Sequence, residues 1–300
     1  MLQSQESKSG GISSNDVASS RSSTVQRLVS ALPDRYEFRR ELGSGGAAHV
    51  FLVHDRERNQ LVAIKILRPE VTTAIGRKRF LREIDIIRKL EHPNVLPMLD
   101  SGTVNGQVFF TTPYVEGDTL EKKIRRERQL SLADTVSIAS DVAAALDYAH
   151  LRGLIHRDVK PANILLADNH GVVADFGIAR AVAVKRDDAI TISGVSLGTA
   201  QYMSPEQCSA VRELDQRTDV YAFGCVVYEM LTGDPPFTGA NDQIILARHC
   251  AEAPRPMRTV RPELPKRLDA VVLKSLAKVR SHRYRSAGEF FDALDSAARS

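Results

Sequence analysis

The apolar pattern of this chain changes period near Pro113, and that change restricts the fold more than any other feature. Before it, short strand-like runs recur at Tyr36–Leu42, His49–His54, Leu61–Leu67, Leu96–Val104 and Val108–Thr112. Turn formers separate them, among them Gly43–Gly46 and Asn105-Gly106, a dipeptide suited to a two-residue hairpin. One interruption, with Phe80, Leu81, Ile84, Ile87 and Leu90, has helical spacing. After Pro113 the 3.6-residue period takes over, at Leu132–Leu151 and at Val220–Leu231, where Gly233-Asp234-Pro235-Pro236 supplies a stop. Further helices are predicted near 241–252, 265–278 and 286–298, the last with Ser286 and Glu289 as a capping box. The pattern predicts an α+β chain: a small five-stranded β lobe with one helix (35–112), a connector (113–117) and a larger, mainly helical lobe (118–298).

Residues 1–34 begin Ser-rich and apolar-poor, too little to offset the entropy of ordering, so a disordered tail is expected there. The net charge of +4 is mild. Positive residues fall in mixed-sign stretches such as Arg77–Arg82 with Glu83 and Asp85, which read as a solvated helix face, and no nucleic-acid partner is expected. The three cysteines, Cys208, Cys225 and Cys250, have no metal-ligand spacing and read as free thiols in a reducing compartment. With no membrane-length apolar run and no secretion core, the expectation is a soluble cytoplasmic protein.

Chemistry concentrates in a few short clusters. His156-Arg157-Asp158-Val159-Lys160-Pro161-Ala162-Asn163 gathers a candidate base, a cation and an amide, and Asp175-Phe176-Gly177 follows twelve positions after Asn163. Gly43-Ser44-Gly45-Gly46 between two strands allows backbone N–H groups to approach phosphate oxygens; taken alone it is as well explained by a structural hairpin. Val62-Ala63-Ile64-Lys65 places a lysine in an apolar strand, where it needs a partner or must snorkel. Glu83 on the following helix offers that partner, though singly it reads as a solvated helix residue.

In this order the clusters resemble the protein-kinase signature set, over about Tyr36 to Ala297. Gly198-Thr199-Ala200-Gln201-Tyr202-Met203-Ser204-Pro205-Glu206-Gln207 is similar to the bacterial eukaryotic-like (Hanks-type) serine/threonine kinases. The resemblance implies a bilobal kinase fold, ATP as phosphoryl donor and Mg2+, with Mn2+ as the alternative. It gives Asp158 the substrate hydroxyl, Lys160 the transferring phosphoryl, and Lys65, held by Glu83, the ATP phosphates. Asn163 and Asp175 become metal ligands. Leu42, Gly43, Ser44, Gly45, Gly46 and Val50 would cover the nucleotide. Ala63 and Leu165 would sandwich the base, Thr112 would stand at the gatekeeper position, and Pro113, Tyr114 and Val115 would form the hinge. The third glycine of the loop is replaced by Ala48, which implies a stiffer loop.

The resemblance also assigns structural roles. Ile87, Met98, His156 and Phe176 match a hydrophobic column joining the lobes, and Phe176 with it a regulatory position. Asp219 would hold the catalytic-loop backbone, and Glu206 and Arg283 would pair. Thr191 and Ser193 match activation-loop phosphorylation sites, with Arg157 as the phosphate's receptor; Thr199 would hydrogen-bond near Asp158. Expected partners are proteins bearing Ser or Thr, and a second copy of the chain for phosphorylation in trans as a homodimer. Two alternatives stay open: a pseudokinase that binds nucleotide without turnover, supported only by Ala48, and a small-molecule phosphotransferase, disfavoured by Ser204-Pro205-Glu206.

Overall fold

The computed structural model describes residues 25–69, 71, 84, 86–167, 170–176, 199–211 and 213–300. Strands β1 (Tyr36–Ser44), β2 (Ala48–Asp55), β3 (Gln60–Leu67), β4 (Asp100–Val104) and β5 (Gln107–Pro113) form a sheet ordered β1-β2-β3-β5-β4, with every neighbouring pair antiparallel. Asn105 and Gly106 join β4 to β5 with φ of 47° and 76°, as the two-residue hairpin requires.

Alternation along β3 sorts its side chains. Val62, Ile64 and Ile66 are fully buried on one face. Ala63 and Lys65 take the other, which they share with their cross-strand partners: Val50 opposite Lys65 on β2, and Thr112 and Phe110 opposite Ala63 and Lys65 on β5.

The face opposite Lys65 is closed by a segment that the sequence reading places in the disordered tail. Residues 25–30 are helical, and Leu28 and Leu32 are buried in one cluster with Tyr36, Phe51, Val53 and Phe109. The boundary at residue 34 is therefore corrected: residues 25–34 belong to the folded unit. The physical reason is that three fully buried β3 residues need a cover, and two leucines four residues apart supply one. Leu28→Ala is expected to lower unfolding free energy by about 2–3 kcal/mol in a denaturant melt; an unchanged melt would remove this segment from the fold.

The larger lobe holds α1 (Leu120–Glu127), α2 (Leu132–His150), α3 (Pro205–Cys208), α4 (Arg217–Thr232), α5 (Asp242–Ala251), α6 (Lys266–Ser275) and α7 (Ala287–Ala298). Helix α4 is its axis: every residue after Arg217 is buried. It ends at Gly233, where φ is 90° and a Cβ would stand 2.7 Å from Arg128 O, so only glycine fits. At α7, Ser286 Oγ accepts from Glu289 N as expected (3.1 Å). The Glu289 carboxylate instead accepts from Arg285 N (2.7 Å), while Asp147 of α2 accepts from Ala287 N and Gly288 N.

Three short strands, β6 (Asp118–Thr119), β7 (Ile164–Ala167) and β8 (His170–Val173), form a second antiparallel sheet. Gly117 leads into it with φ 152°, where a Cβ would run into Leu166 O. Asn94 and Leu96 fasten the approach to β4 onto β8: Leu96 N donates to Val173 O (2.9 Å) and Val173 N to Asn94 O (2.8 Å). One apolar cluster runs through both lobes, with Ile87, Leu90 and Phe110 in the same core as Leu154, Ile164 and Phe176. Among the described residues no helix is long and apolar enough to cross a membrane.

Candidate active site

The loop before β7 is hung from α4. Asp219, fully buried in its first turn, accepts from His156 N and Arg157 N (both 2.8 Å) and bonds His150 Nε2 (2.7 Å). Burial alone would raise the pKa of this carboxyl; the His150 hydrogen bond and nearby charge outweigh it and hold the pKa below the usual carboxylate range. His156 is fixed twice over. Its Nε2 donates to Ala174 O (2.8 Å) and its Nδ1 accepts from Asp158 N (3.2 Å), which defines the neutral ring with the proton on Nε2. Its ring lies 4.6 Å from that of Phe176, and both are buried. Ile87 and Met98 are buried as well.

Two non-glycine residues of this region, Arg157 and Asp175, have φ of 69° and 64°. Left-handed backbone is costly for such residues and persists where surrounding bonds over-determine it. For Arg157 those bonds are Asp219 to its N–H and Gln207 Nε2 to its carbonyl (2.9 Å).

Asp158 is held from one side only. Its Oδ2 receives Lys160 Nζ (2.9 Å) and Asn163 Nδ2 (3.0 Å), and Asn163 Nδ2 also donates to Asp158 O (2.8 Å). Its Oδ1 is buried with no hydrogen-bond partner. Lys160 Nζ reaches on to Thr199 Oγ1 (2.8 Å). A carboxylate oxygen left unsatisfied beside a fixed ammonium is a costly arrangement unless a hydroxyl is to dock there.

Lys65 Nζ pairs with Asp175 Oδ2 at 2.5 Å, across the gap between the lobes. Burial works to raise the Asp175 pKa, but the Lys65 charge and hydrogen bond outweigh it and hold the pKa below the ordinary carboxylate value. Glu83, the expected partner of Lys65, lies outside the described residues, as do Thr191 and Ser193.

Among the described residues no three His, Cys, Asp or Glu are grouped to hold a metal. Asp175 and Asn163 both carry hard oxygens, and Asn163 Nδ2 is spent on Asp158 so that Oδ1 is its remaining ligand atom. Two such ligands fit an oxygen-preferring divalent cation that takes its other ligands from phosphate and water.

Val50, Ala63, Thr112, Pro113, Tyr114, Val115 and Leu165 are all half-buried, as are Leu42 and Gly43, whereas Ser44, Gly45 and Gly46 are exposed. A Cβ at Gly43 or Gly45 would meet open space and neither has a positive φ, so the hairpin itself does not require glycine there. Ala48, by contrast, packs into the core opposite Leu67. Arg68 braces the turn: its Nε donates to Gly45 O (2.9 Å) and its N–H to Ala47 O (2.9 Å).

Sequence reading missed His150, Gln207 and Arg68, which touch the site only through other residues. It also missed Glu229, which accepts from Tyr202 OH at 2.6 Å and which burial pushes up to about 7. Only Gln207 had a local signal, as the N3 partner of the Ser204 capping box.

Two lobes, with Lys65 of one paired to Asp175 of the other, define a bilobal α+β fold that carries the Asp158–Lys160–Asn163 cluster in its helical lobe. A family model for the protein kinase domain matches residues 36–289, and the chain belongs to that family. The chain is 40% identical over 264 residues to the serine/threonine-protein kinase PknB of Mycolicibacterium smegmatis, an alignment covering 86% of this chain and 42% of that protein. PknB of Mycobacterium tuberculosis is also 40% identical, over 266 residues (87% and 42%). PknD of the same species is 37% identical over 265 (87% and 39%). The chain thus spans about two fifths of the length of these curated relatives. Protein kinases in general use ATP and a divalent metal and act on proteins.

Proposed function

We propose that this chain is an ATP-dependent serine/threonine protein kinase whose catalytic domain is residues 35–298, with 113–117 as the hinge. The observation that carries the reading is Asp158, one oxygen fixed by Lys160 and Asn163 and the other buried without a partner. In this reading Asp158 Oδ1 accepts the hydrogen bond of the substrate Ser or Thr hydroxyl and takes its proton as the oxygen attacks the γ-phosphorus. Lys160 neutralises charge on the transferring group while Thr199 keeps its ammonium in line. Lys65, shared with Glu83, grips the triphosphate. Val50, Ala63, Thr112 and Leu165 enclose the base, and the backbone of Pro113 to Val115 reads its edge. Leu42 and Gly43 to Gly46 cover the phosphates, and at Gly43 and Gly45 the missing side chain serves the ligand and not the hairpin.

Asn163 and Asp175 would hold Mg2+, or Mn2+, which screens the phosphate charge when bound. Arg157 would receive a phosphate placed on Thr191 or Ser193 by a second copy of the chain, so a homodimer in the cytoplasm is the working unit. Phe176, packed on His156, would couple that loop to the lobes. The relatives' names and the lysine at 160 support serine/threonine over tyrosine specificity.

The test is incubation with γ-labelled ATP, Mg2+ and a basic protein. The expected result is label on serine and threonine of the added protein, with phosphate on Thr191 or Ser193 in the peptide map of the chain itself. Nucleotide binding without transfer would overturn the reading in favour of a pseudokinase.

A further inference from the structure

Cys208 and Cys250 are far apart in sequence, yet the second is seated against the segment that carries the first. Cys208 is the last residue of α3, and Cys250 lies one residue before the end of α5. Cys250 Sγ stands 3.9 Å from Pro205 O and 3.8 Å from Ser209 Oγ, on the turn that carries Cys208. Cys208 Sγ is 3.9 Å from Met203 O on the same turn. Burial, and then the Cys250 thiol within hydrogen-bonding reach, push the Cys208 thiol up to about 12.

The elements bearing the two sulfurs are fixed independently. Helix α3 is held by the Ser204–Gln207 capping box and by the Glu206–Arg283 ion pair, and α5 by its Asn241 cap. The seating of Cys250 against the segment that carries Cys208 is therefore built into the fold. A disulfide needs the sulfurs about 2 Å apart and the Cα atoms within about 7 Å; with Cys250 Sγ already against Pro205 O and Ser209 Oγ on either side of Cys208, side-chain rotation is what brings the sulfurs together. Cys250 is exposed and Cys208 half-buried, so an oxidant reaches the first and the second waits beside it. Cys225 is fully buried in α4, out of an oxidant's reach.

We propose that Cys208 and Cys250 are a redox modification site, closing to an intramolecular disulfide when a hydroperoxide oxidises them. The Cys250 thiolate attacks the peroxide; the O–O bond breaks, the departing oxygen takes a proton and leaves as water or alcohol, and Cys250 becomes a sulfenic acid. Cys208 gives up its proton and attacks the Cys250 sulfur; the S–S bond forms, the S–O bond breaks and hydroxide leaves, protonated to water. The two thiols lose two electrons and two hydrogens, and the peroxide gains them. A dithiol reverses the reaction. The bond fastens α5 to α3, which follows the turn carrying Thr199, the partner of Lys160. The site is independent of the proposed kinase activity, since its chemistry needs neither nucleotide nor turnover.

The test uses the full 300-residue chain, reduced, dilute and treated with hydrogen peroxide, then alkylated after denaturation and mapped by mass spectrometry. The expected result is loss of two of the three alkylatable thiols, a Cys208–Cys250 crosslinked peptide within single chains, and full recovery with dithiothreitol. Cys225→Ser should behave as wild type, and Cys208→Ser should stop at a sulfenic acid on Cys250, trapped by dimedone. Sulfinic acid on Cys250 of the wild type with Cys208 still alkylatable would overturn the proposal, and so would crosslinks only between chains or no thiol lost.

Discussion

Asp158→Asn is expected to lower phosphate transfer by roughly 10²- to 10⁴-fold while leaving nucleotide affinity and thermal melting close to wild type. The asymmetry of the carboxylate is the reason. Asn keeps the shape of Asp158, so the oxygen facing Lys160 and Asn163 can still be supplied by the amide carbonyl. The opposite edge then presents an N–H2 group where the buried, unpartnered Oδ1 stands. A donor there points at the substrate hydroxyl as its mismatch: it cannot accept the proton, and it turns the hydroxyl's lone pair away from the phosphorus. The loss should therefore fall on kcat. The measurements are single-turnover transfer from labelled ATP beside fluorescent-nucleotide titration. Equal transfer by the variant and the wild type would refute the role given to Asp158. Weakened nucleotide binding with the same rate at saturation would move Asp158 from the chemistry to ligand binding.

How legible the site was depended on how local its parts are. The Asn105-Gly106 hairpin was readable because both positive φ values belong to adjacent residues. Asp158, Lys160 and Asn163 were readable as a set because one short loop carries them, and the structure brings all three within hydrogen-bond distance. The α+β layout followed from a change of period that covers dozens of residues. The unread features are those decided by tertiary partners. Nothing near His150 says that its ring will bond Asp219, and nothing near Arg68 says that it will brace Gly45. Strands β6 to β8 are two to four residues long, too short to show a period. Leu28 and Leu32 were hidden behind a Ser-rich stretch whose composition dominates any window that includes them. The seating of Cys250 against the segment that carries Cys208 is of the same kind: spacing along the chain gave no sign of it, and only the packing of α3 on α5 does.

Arg283→Ala is expected to destabilise the chain by about 3–5 kcal/mol, a Tm drop of roughly 10 °C for a domain of this size. Arg283 is fully buried at its side chain and donates through Nη1 and Nη2 to the two Glu206 oxygens, at 2.7 and 2.8 Å. Thr218 Oγ1 adds a third donor to Glu206 at 2.9 Å. Truncating the arginine strands a buried carboxylate and also frees the carbonyls of Ala277, Arg217 and Lys278, which Arg283 now satisfies. The pH dependence should change with it. In the wild type, burial pushes the Glu206 pKa up but the Arg283 hydrogen bond and charge pull it down further, to a net value below its ordinary one. A folded-state pKa below the unfolded one means that this pair stabilises fully above about pH 4.3 and loses its contribution as pH falls through the lower, folded value. Without Arg283, burial dominates and the folded pKa rises above the unfolded one. The variant should then lose stability as pH climbs from about 4.3 toward the new value, the opposite slope to wild type. A double Glu206→Met, Arg283→Met variant should be less destabilised than Arg283→Ala, because no charge is left stranded. Parallel stability–pH curves for wild type and Arg283→Ala would refute this account of the pair.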